Sequence, residues 1–357
     1  MDIMKLQNLG FNEWFIQKLN ESGKTDCHIA RITSVNKGNY LVRNEDGEVL
    51  SELAGEFTYS AESKLHYPVV GDWAFVQYYN ANTLAIIRDL FPRKTVLRRK
   101  AAGKNIDYQM IAANIDVAFI VQSCDSNFNL RRLERYLVMV NDGHIEPVIL
   151  LSKSDLVSQK ELEGKVTEIR GAGIKCEIIA YSVESGSGLH QIRRVLQPGM
   201  TYCLLGSSGV GKTTLLNHLI GRDAFKINLV REKDNKGRHT TSRRQLVVLD
   251  QGAMLIDTPG MRELGNIGVV SGIKESFSDI LKLSESCRYR DCTHTHEAGC
   301  SVLRAVKTGS LNETHYQDYL KLRKESEHYQ MSYLEKRRKD KKFGQFIKSA
   351  MKRYKKG

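Results

Sequence analysis

Residues Gly206-Ser207-Ser208-Gly209-Val210-Gly211-Lys212-Thr213 form a glycine-rich octapeptide that closes on Lys-Thr. Glycines at these positions let backbone N–H groups converge on phosphate oxygens more closely than side chains could. In such a loop the Lys212 ammonium bridges the β- and γ-phosphates, and the Thr213 hydroxyl goes to Mg2+. Thr214, at the start of the departing helix, joins the phosphate-contacting set. The competing reading is a chance glycine-rich turn. An apolar strand, Tyr202–Leu205, in front of the loop and a helical pattern, Thr214–Leu219, behind it argue against that.

Downstream, the apolar stretch Met254–Ile256 ends in Asp257-Thr258-Pro259-Gly260. Here Asp257 is expected to hold Mg2+ through water, and the Gly260 N–H to meet the γ-phosphate. Between the two motifs runs Arg231–Arg244, basic and turn-rich, with Gly237-Arg238-His239-Thr240-Thr241 inside it. A threonine there, Thr241 in preference to Thr240, could complete the Mg2+ shell once a γ-phosphate is present. Met261 follows Gly260 where many GTPases carry a water-orienting glutamine. A thioether cannot orient water, so another group is needed. His239 is the candidate, and an ordinary loop histidine is its alternative.

Upstream of the phosphate loop, Pro147–Leu151 reads as a buried strand ending at Ser152-Lys153-Ser154-Asp155. The Asp155 carboxylate can accept from guanine N1–H and the 2-amino group. Adenine offers neither donor, so a carboxylate facing it would be desolvated and unpaired. Lys153 would lay its methylene stem over the base, and the Ser182 region would meet the guanine carbonyl with a backbone N–H. A helix N-cap is the plain alternative for Asp155. Position 152 usually holds asparagine in this motif; serine reaches less far, which predicts somewhat weakened affinity for GTP and GDP. The base reader precedes the phosphate loop, the reverse of the ordinary order. A doubly wound sheet tolerates this, because all its binding loops lie at the C-terminal edge of the strands.

A third constellation is Cys287-x4-Cys292-x-His294-x5-Cys300. Three thiolates and one imidazole make a complete tetrahedral set for structural Zn2+, with no position left for chemistry. Unligated thiols in a reducing compartment are the alternative, and His296 is read as a loop histidine.

The elements that must carry these sites fall into three segments. Residues 1–100 read as a short helix, Phe11–Leu19, then short strands punctuated by Asp46-Gly47, Gly55, Pro68 and Gly71-Asp72, which suggests a small β-barrel or sandwich. Residues 101–270 alternate strands (Val117–Val121, Pro147–Leu151, Cys176–Ala180, Tyr202–Leu205, Gln245–Leu249, Met254–Ile256) with helices (Asn129–Val140, Leu189–Leu196). That rhythm predicts a parallel, doubly wound α/β sheet. Residues 271–357 combine the Cys/His cluster with a long polar helix pattern, Thr314–Arg338, and a basic tail. The tail from Glu335 to Gly357 holds eleven Lys or Arg against two acids, most of the net charge of +13 in 357 residues. It suits a polyanion partner or plain solvation. No secretory leader and no span long enough for a bilayer are read, and seven cysteines with uneven spacing suit a cytoplasmic protein.

Taken together, Gly71-Asp72, Arg93-Lys94-Thr95, Ala112-Ala113-Asn114-Ile115-Asp116, Ser152–Asp155, the phosphate loop, Gly237–Thr241, Asp257–Gly260 and the Cys/His cluster resemble the ribosome small-subunit-dependent GTPase A family. These are circularly permuted bacterial GTPases of late 30S assembly. The resemblance covers nearly the whole chain, with Ser152 its main departure. It implies an N-terminal OB-fold, a central permuted P-loop GTPase domain and a C-terminal α-helical zinc domain. It further implies GTP hydrolysis stimulated by the 30S subunit, contacts to 16S rRNA, release after conversion to GDP, and a monomer. A GTP-gated RNA-binding checkpoint factor, with hydrolysis incidental, stands as the alternative, and a GTPase acting on tRNA as a weaker one.

Overall fold

The computed structural model describes residues 3–24, 27–36, 39–60, 63–100, 108–207, 209–221, 244–257 and 276–330. The chain divides into two compact units, one of Met1–Arg98 with Met110–Leu264, the other of Arg99–Gln109 with Gly265–Gly357. The segments read as 1–100 and 101–270 thus lie largely within one unit.

The first unit opens with α1 (Ile3–Gln7) and α2 (Glu13–Ser22), the latter closed by Gly23 in the left-handed conformation. Phe11 and Phe15 from this stretch pack edge-on and tilted against Trp73 and Phe91, so the entry segment shares its apolar cluster with the barrel. The barrel strands are β1 (His28–Asn36), β2 (Asn39–Arg43), β3 (Glu48–Leu53), β4 (Trp73–Tyr79) and β5 (Leu84–Leu90), with α3 (Gly55–Ser60) after β3. They pair in the order β1-β2-β3-β5-β4, and β4 returns to β1. Among the described pairings of the barrel, only that of β3 with β5 is parallel. This is the closed five-stranded OB arrangement, which leaves no free sheet edge. The Asp46-Gly47 signal is a hairpin turn, with both amides donating to Asn44 Oδ1 at 2.9 and 3.0 Å.

Beyond the two-stranded ladder of β6 (Val96–Lys100) and β7 (Tyr108–Ala113) lies the α/β sheet. Its strands are β8 (Val117–Ser123), β9 (Glu146–Ser152), β10 (Glu177–Ala180), β11 (Thr201–Leu205), β12 (Arg244–Val248) and β13 (Met254–Asp257). They lie in the order β10-β9-β8-β11-β13-β12. On β8, Ala118 and Ile120 join one apolar cluster, together with Leu133, Tyr136 and Val140 of α4 (Leu130–Asp142) and Ile169 of α5 (Gln159–Gly171). Val117, Phe119 and Val121 join another, with Leu189 and Ile192 of α6 (Leu189–Val195) and Leu215 and Leu216 of α7 (Lys212–Ile220). Helices therefore cover both faces, as the alternation predicts. One strand departs from that prediction. β12 is antiparallel to β13, because the tight turn between them, where Leu249 N–H donates to Ala253 O, can only reverse the chain.

The same strand joins the two halves of the unit. β12 pairs with β1 through Ser34–Gln245 and Val35–Arg244, making one eleven-stranded sheet. Behind this ladder Arg31 is fully buried. Its guanidinium donates to Leu9 O, to Asn114 O at 3.1 Å and to Thr201 Oγ1 at 2.8 Å. Burial lowers its pKa to about 10, opposed by Asp116 and Asp72, so it stays charged at neutral pH. Arg93 pairs with buried Asp72 at 2.8 Å and donates to Leu65 O and Tyr67 O. Asn114 accepts from Lys94 N–H and donates to Gly71 O. Gly71 is indispensable here: its φ is +93°, and a Cβ would sit 2.1 Å from Ala113 O. The Gly71-Asp72, Arg93-Lys94-Thr95 and Asn114 motifs are thus a polar seam between barrel and sheet.

In the second unit, α8 (Ser278–Ser284), α9 (Ser301–Lys307) and α10 (Glu313–Gln330) surround the Cys/His segment. Phe277 stacks on His315 of α10 at 4.8 Å, and His315 Nε2 meets the Asp279 carboxylate at 3.3 Å. The helix read as Thr314–Arg338 is described as far as Gln330. Its remainder and the basic tail lie outside the described residues. Among the described residues, no helix is long and apolar enough to cross a membrane.

Candidate nucleotide site and metal centre

Five strand ends bring the nucleotide motifs to one edge of the sheet. β8, β9, β10, β11 and β13 are mutually parallel, so Ser123, Ser152, Ala180, Leu205 and Asp257 all finish on the same side. The motifs leave from these ends whatever their order along the chain.

The phosphate loop runs from Gly206 to the N-terminus of α7. Gly206 has φ +150°, and its missing Cβ leaves room for Val121 O, which would stand 2.5 Å away. Gly209 and Gly211 have φ +79° and +90°, with open space beside Gly209. The result is a backbone cradle that side chains would fill. Lys212 Nζ donates to Gly206 O at 2.7 Å and Ser207 O at 2.6 Å, so the ammonium lies over the loop. Ser207 Oγ is buried and has no hydrogen-bond partner among the described residues. A cradle of glycines, an ammonium above it and an orphaned hydroxyl beside it fit a polyphosphate. Thr213 and Thr214 are exposed on the first turn of α7. Asp257 ends β13. Ser208, His239, Thr241, Gly260 and Met261 lie outside the described residues.

The base-reading motif is held by its own local geometry. Lys153 adopts the left-handed conformation, φ 58° and ψ 39°, which turns the chain sharply at the end of β9. Asp155 is exposed within the single turn Ser154–Leu156. It does not cap α5. That task falls to Ser158, whose side chain accepts from Glu161 N–H while the Glu161 carboxylate accepts from Ser158 N–H. The plain alternative for Asp155 therefore fails. Ser154 N–H donates to Tyr181 O, tying the motif to the loop after β10. In that loop Ser182 is buried, and its own N–H donates to Ser187 O at 3.0 Å. A backbone donor for a base must then come from a neighbouring residue.

Ser152 departs most from the sequence reading. Its buried hydroxyl donates to Val210 O of the phosphate loop at 2.6 Å. The residue read as a short base contact thus also ties the end of β9 to the phosphate loop. Sequence reasoning also passed over Asp125. Its carboxylate accepts from Lys153 Nζ at 2.8 Å, from Ser123 Oγ at 2.6 Å and from Asn127 N–H at 2.9 Å. The Lys153 bond, followed by the Ser123 bond, lowers the Asp125 pKa to about 2. The one sequence signal was an acid just past the end of a buried strand.

In the second unit, the ligand atoms of Cys287, Cys292, His294 and Cys300 lie within 4.8 Å of one another. Cys287 Sγ is 3.8 Å from Cys300 Sγ, and His294 Nδ1 is 3.6 and 3.5 Å from these two sulfurs. Tetrahedral zinc with ordinary bond lengths has S–S edges of about 3.8 Å and S–N edges of about 3.6 Å. The donor set therefore fits Zn2+. Burial, then the nearby Arg323 charge, lowers the His294 pKa and favours the neutral imidazole that ligates metal. His296 is exposed and bonded to Thr295, outside the set. α10 grips the same loop: Tyr316 Oη donates to His294 O at 2.5 Å and Arg323 to Thr293 O at 2.7 Å.

An OB barrel, a phosphate-loop sheet with its base reader ahead of its phosphate loop, and a Cys3His segment define a circularly permuted P-loop GTPase. A family model described as RsgA GTPase matches residues 90–267. The small ribosomal subunit biogenesis GTPase RsgA 1 of Bacteroides thetaiotaomicron is 39% identical over 352 residues, covering 97% of each chain. RsgA 2 of Lactiplantibacillus plantarum is 40% identical over 329 residues, covering 92% of this chain and 91% of the relative. The crystal structure of YjeQ from Thermotoga maritima aligns with a TM-score of 0.61 at 26% identity, covering 84% of this chain and 98% of that one. YloQ, a circularly permuted GTPase, shares the fold with a TM-score of 0.61 at 24% identity, covering 87% of this chain and 99% of that one. The chain belongs to the RsgA GTPase family.

Proposed function

We propose that this GTPase binds the small ribosomal subunit, acts in late 30S maturation and leaves after hydrolysing GTP. The relatives named above are called small ribosomal subunit biogenesis GTPases. The single observation that carries the nucleotide half of the reading is the Ser152–Val210 hydrogen bond, which ties the end of β9 to the glycine-rich loop before α7. In this reading Asp155 accepts from the guanine edge and the Lys153 stem packs on its face. The Gly206–Thr214 backbone and Lys212 bind the phosphates, and Gly260 N–H meets the γ-phosphate. Thr213 and Asp257, with Thr241, would hold Mg2+, which neutralises charge building on the phosphates during transfer. With Met261 in the glutamine position, His239 accepts a hydrogen bond from the attacking water.

Cys287, Cys292, His294 and Cys300 would hold one structural Zn2+, which ties together a segment with few apolar side chains. The barrel and the basic C-terminal residues supply contacts to 16S rRNA, with a binding affinity that falls steeply as salt rises. The chain acts as a cytoplasmic monomer, with domains at 1–100, 101–270 and 271–357. The deciding experiment compares GTP turnover alone and with 30S subunits, 50S subunits or tRNA. A sharp rise with 30S alone is expected, together with tighter 30S binding in the GTP form than in the GDP form. Equal stimulation by all three RNAs would refute the ribosomal assignment. Release of the GTP-bound protein without hydrolysis would favour a gated checkpoint factor instead.

A further inference from the structure

We infer that Asp125 is a positioning residue of the nucleotide site: by holding the Lys153 ammonium, it sets the lysine stem in place before a guanine nucleotide arrives. The inference rests on the reading above, in which that stem packs on the base.

Asp125 belongs to no nucleotide-binding motif, yet the fold delivers it to one. Ser123 and Ser152 are partners in the last rung of the β8–β9 ladder. Two residues past one and one residue past the other, Asp125 and Lys153 leave the sheet side by side. One carboxylate oxygen takes Lys153 Nζ; the other takes Ser123 Oγ and Asn127 N–H. Both oxygens are committed, so the carboxylate cannot rotate away. At the other end, the left-handed backbone of Lys153 fixes the direction in which its stem departs. A four-carbon stem anchored at both ends has few rotamers left.

An ordinary surface ion pair would contribute little. This one differs because its acceptor is itself pinned by two further donors. The consequence for function lies in binding. A free lysine must surrender rotamer entropy when a ligand orders it. A lysine already held does not, so affinity rises without any new contact to the ligand. The stem packs on the face of the base and does not read its edge. Its positioning should therefore strengthen GDP and IDP equally and leave the guanine-edge discrimination to Asp155.

The test uses the full-length protein and Asp125→Asn. Asparagine retains one oxygen for Ser123 and Asn127 and presents an NH2 group to Lys153, so the turn stays capped while the clamp is lost. Fluorescent GDP titration should show a Kd raised about three- to tenfold, and competition with IDP should give the same factor. In a Lys153→Ala background, where the clamp has nothing to hold, Asp125→Asn should change neither value. The circular dichroism spectrum should match the wild type in both backgrounds. Unchanged GDP binding in Asp125→Asn would overturn the inference, and so would an equal loss with Lys153 already removed. A wild-type protein with no preference for GDP over ADP would overturn the underlying nucleotide reading, and this inference with it.

Discussion

Replacing Ser152 with alanine removes one oxygen atom from the centre of the site. That oxygen is buried and donates to Val210 O at 2.6 Å. Losing a neutral hydrogen bond costs about 1 kcal/mol, and leaving a buried carbonyl unsatisfied raises the total to about 1–3 kcal/mol. Each 1.4 kcal/mol corresponds to about tenfold in an equilibrium constant. Part of the penalty falls on the native fold and part on the loop geometry that a nucleotide selects. A Kd for GDP raised about tenfold is therefore expected, with a thermal midpoint lowered by about 2–6 °C. Guanine-over-adenine preference should survive, because Asp155 is untouched. Ser152→Thr keeps the hydroxyl and should retain most of the affinity. The assays are fluorescent GDP titration, competition by ADP, and thermal unfolding by circular dichroism. If Ser152→Ala bound GDP and unfolded like the wild type, the brace would be irrelevant and the reasoning wrong.

Four further outcomes are expected. Lys212→Ala should abolish GTP turnover while leaving the circular dichroism spectrum unchanged; retained turnover would remove the ammonium from the phosphate site. Gly71→Ala should destabilise the first unit by several kcal/mol, since its Cβ would press on Ala113 O from a positive-φ backbone, and thermal unfolding would register this. Chelation, or Cys300→Ser, should make residues 276–330 protease-sensitive and release one Zn2+ per chain, yet spare GDP binding. The Asp125 carboxyl should titrate near pH 2 by carbon-detected NMR and move toward the ordinary range near 4 in Lys153→Ala. Because its folded pKa is depressed, its contribution to stability is fully present above about pH 4 and disappears as the pH falls toward 2.

The division of labour between chain and fold is visible in particular residues. The octapeptide at Gly206–Thr213, the Ser152–Asp155 motif and the Cys/His spacing were legible because their chemistry is local: all the groups of each motif lie on one short stretch that a single turn or loop can gather. Helices on both faces of the sheet followed from the alternating rhythm of strand and helix, whereas short strands with turn signals left a barrel and a sandwich open until the return of β4 to β1 decided for the barrel. The antiparallel β12 escaped that rhythm, since orientation depends on where the chain is going and not on which residues it contains.

Everything that required two distant segments to meet was decided by tertiary structure. The sequence by itself determined that serine stands at 152, but only packing turned its hydroxyl to Val210. It placed an aspartate at 125 without hinting that the β8–β9 register sets it against Lys153. It supplied Gly71, Asp72, Arg93 and Asn114 as separate signatures, and the fold made them one seam under a continuous sheet. The physical reason is the same in each case. A hydrogen bond reaches about 3 Å, and which groups come that close across dozens of residues is settled by strand pairing and burial, quantities that no single stretch of chain contains.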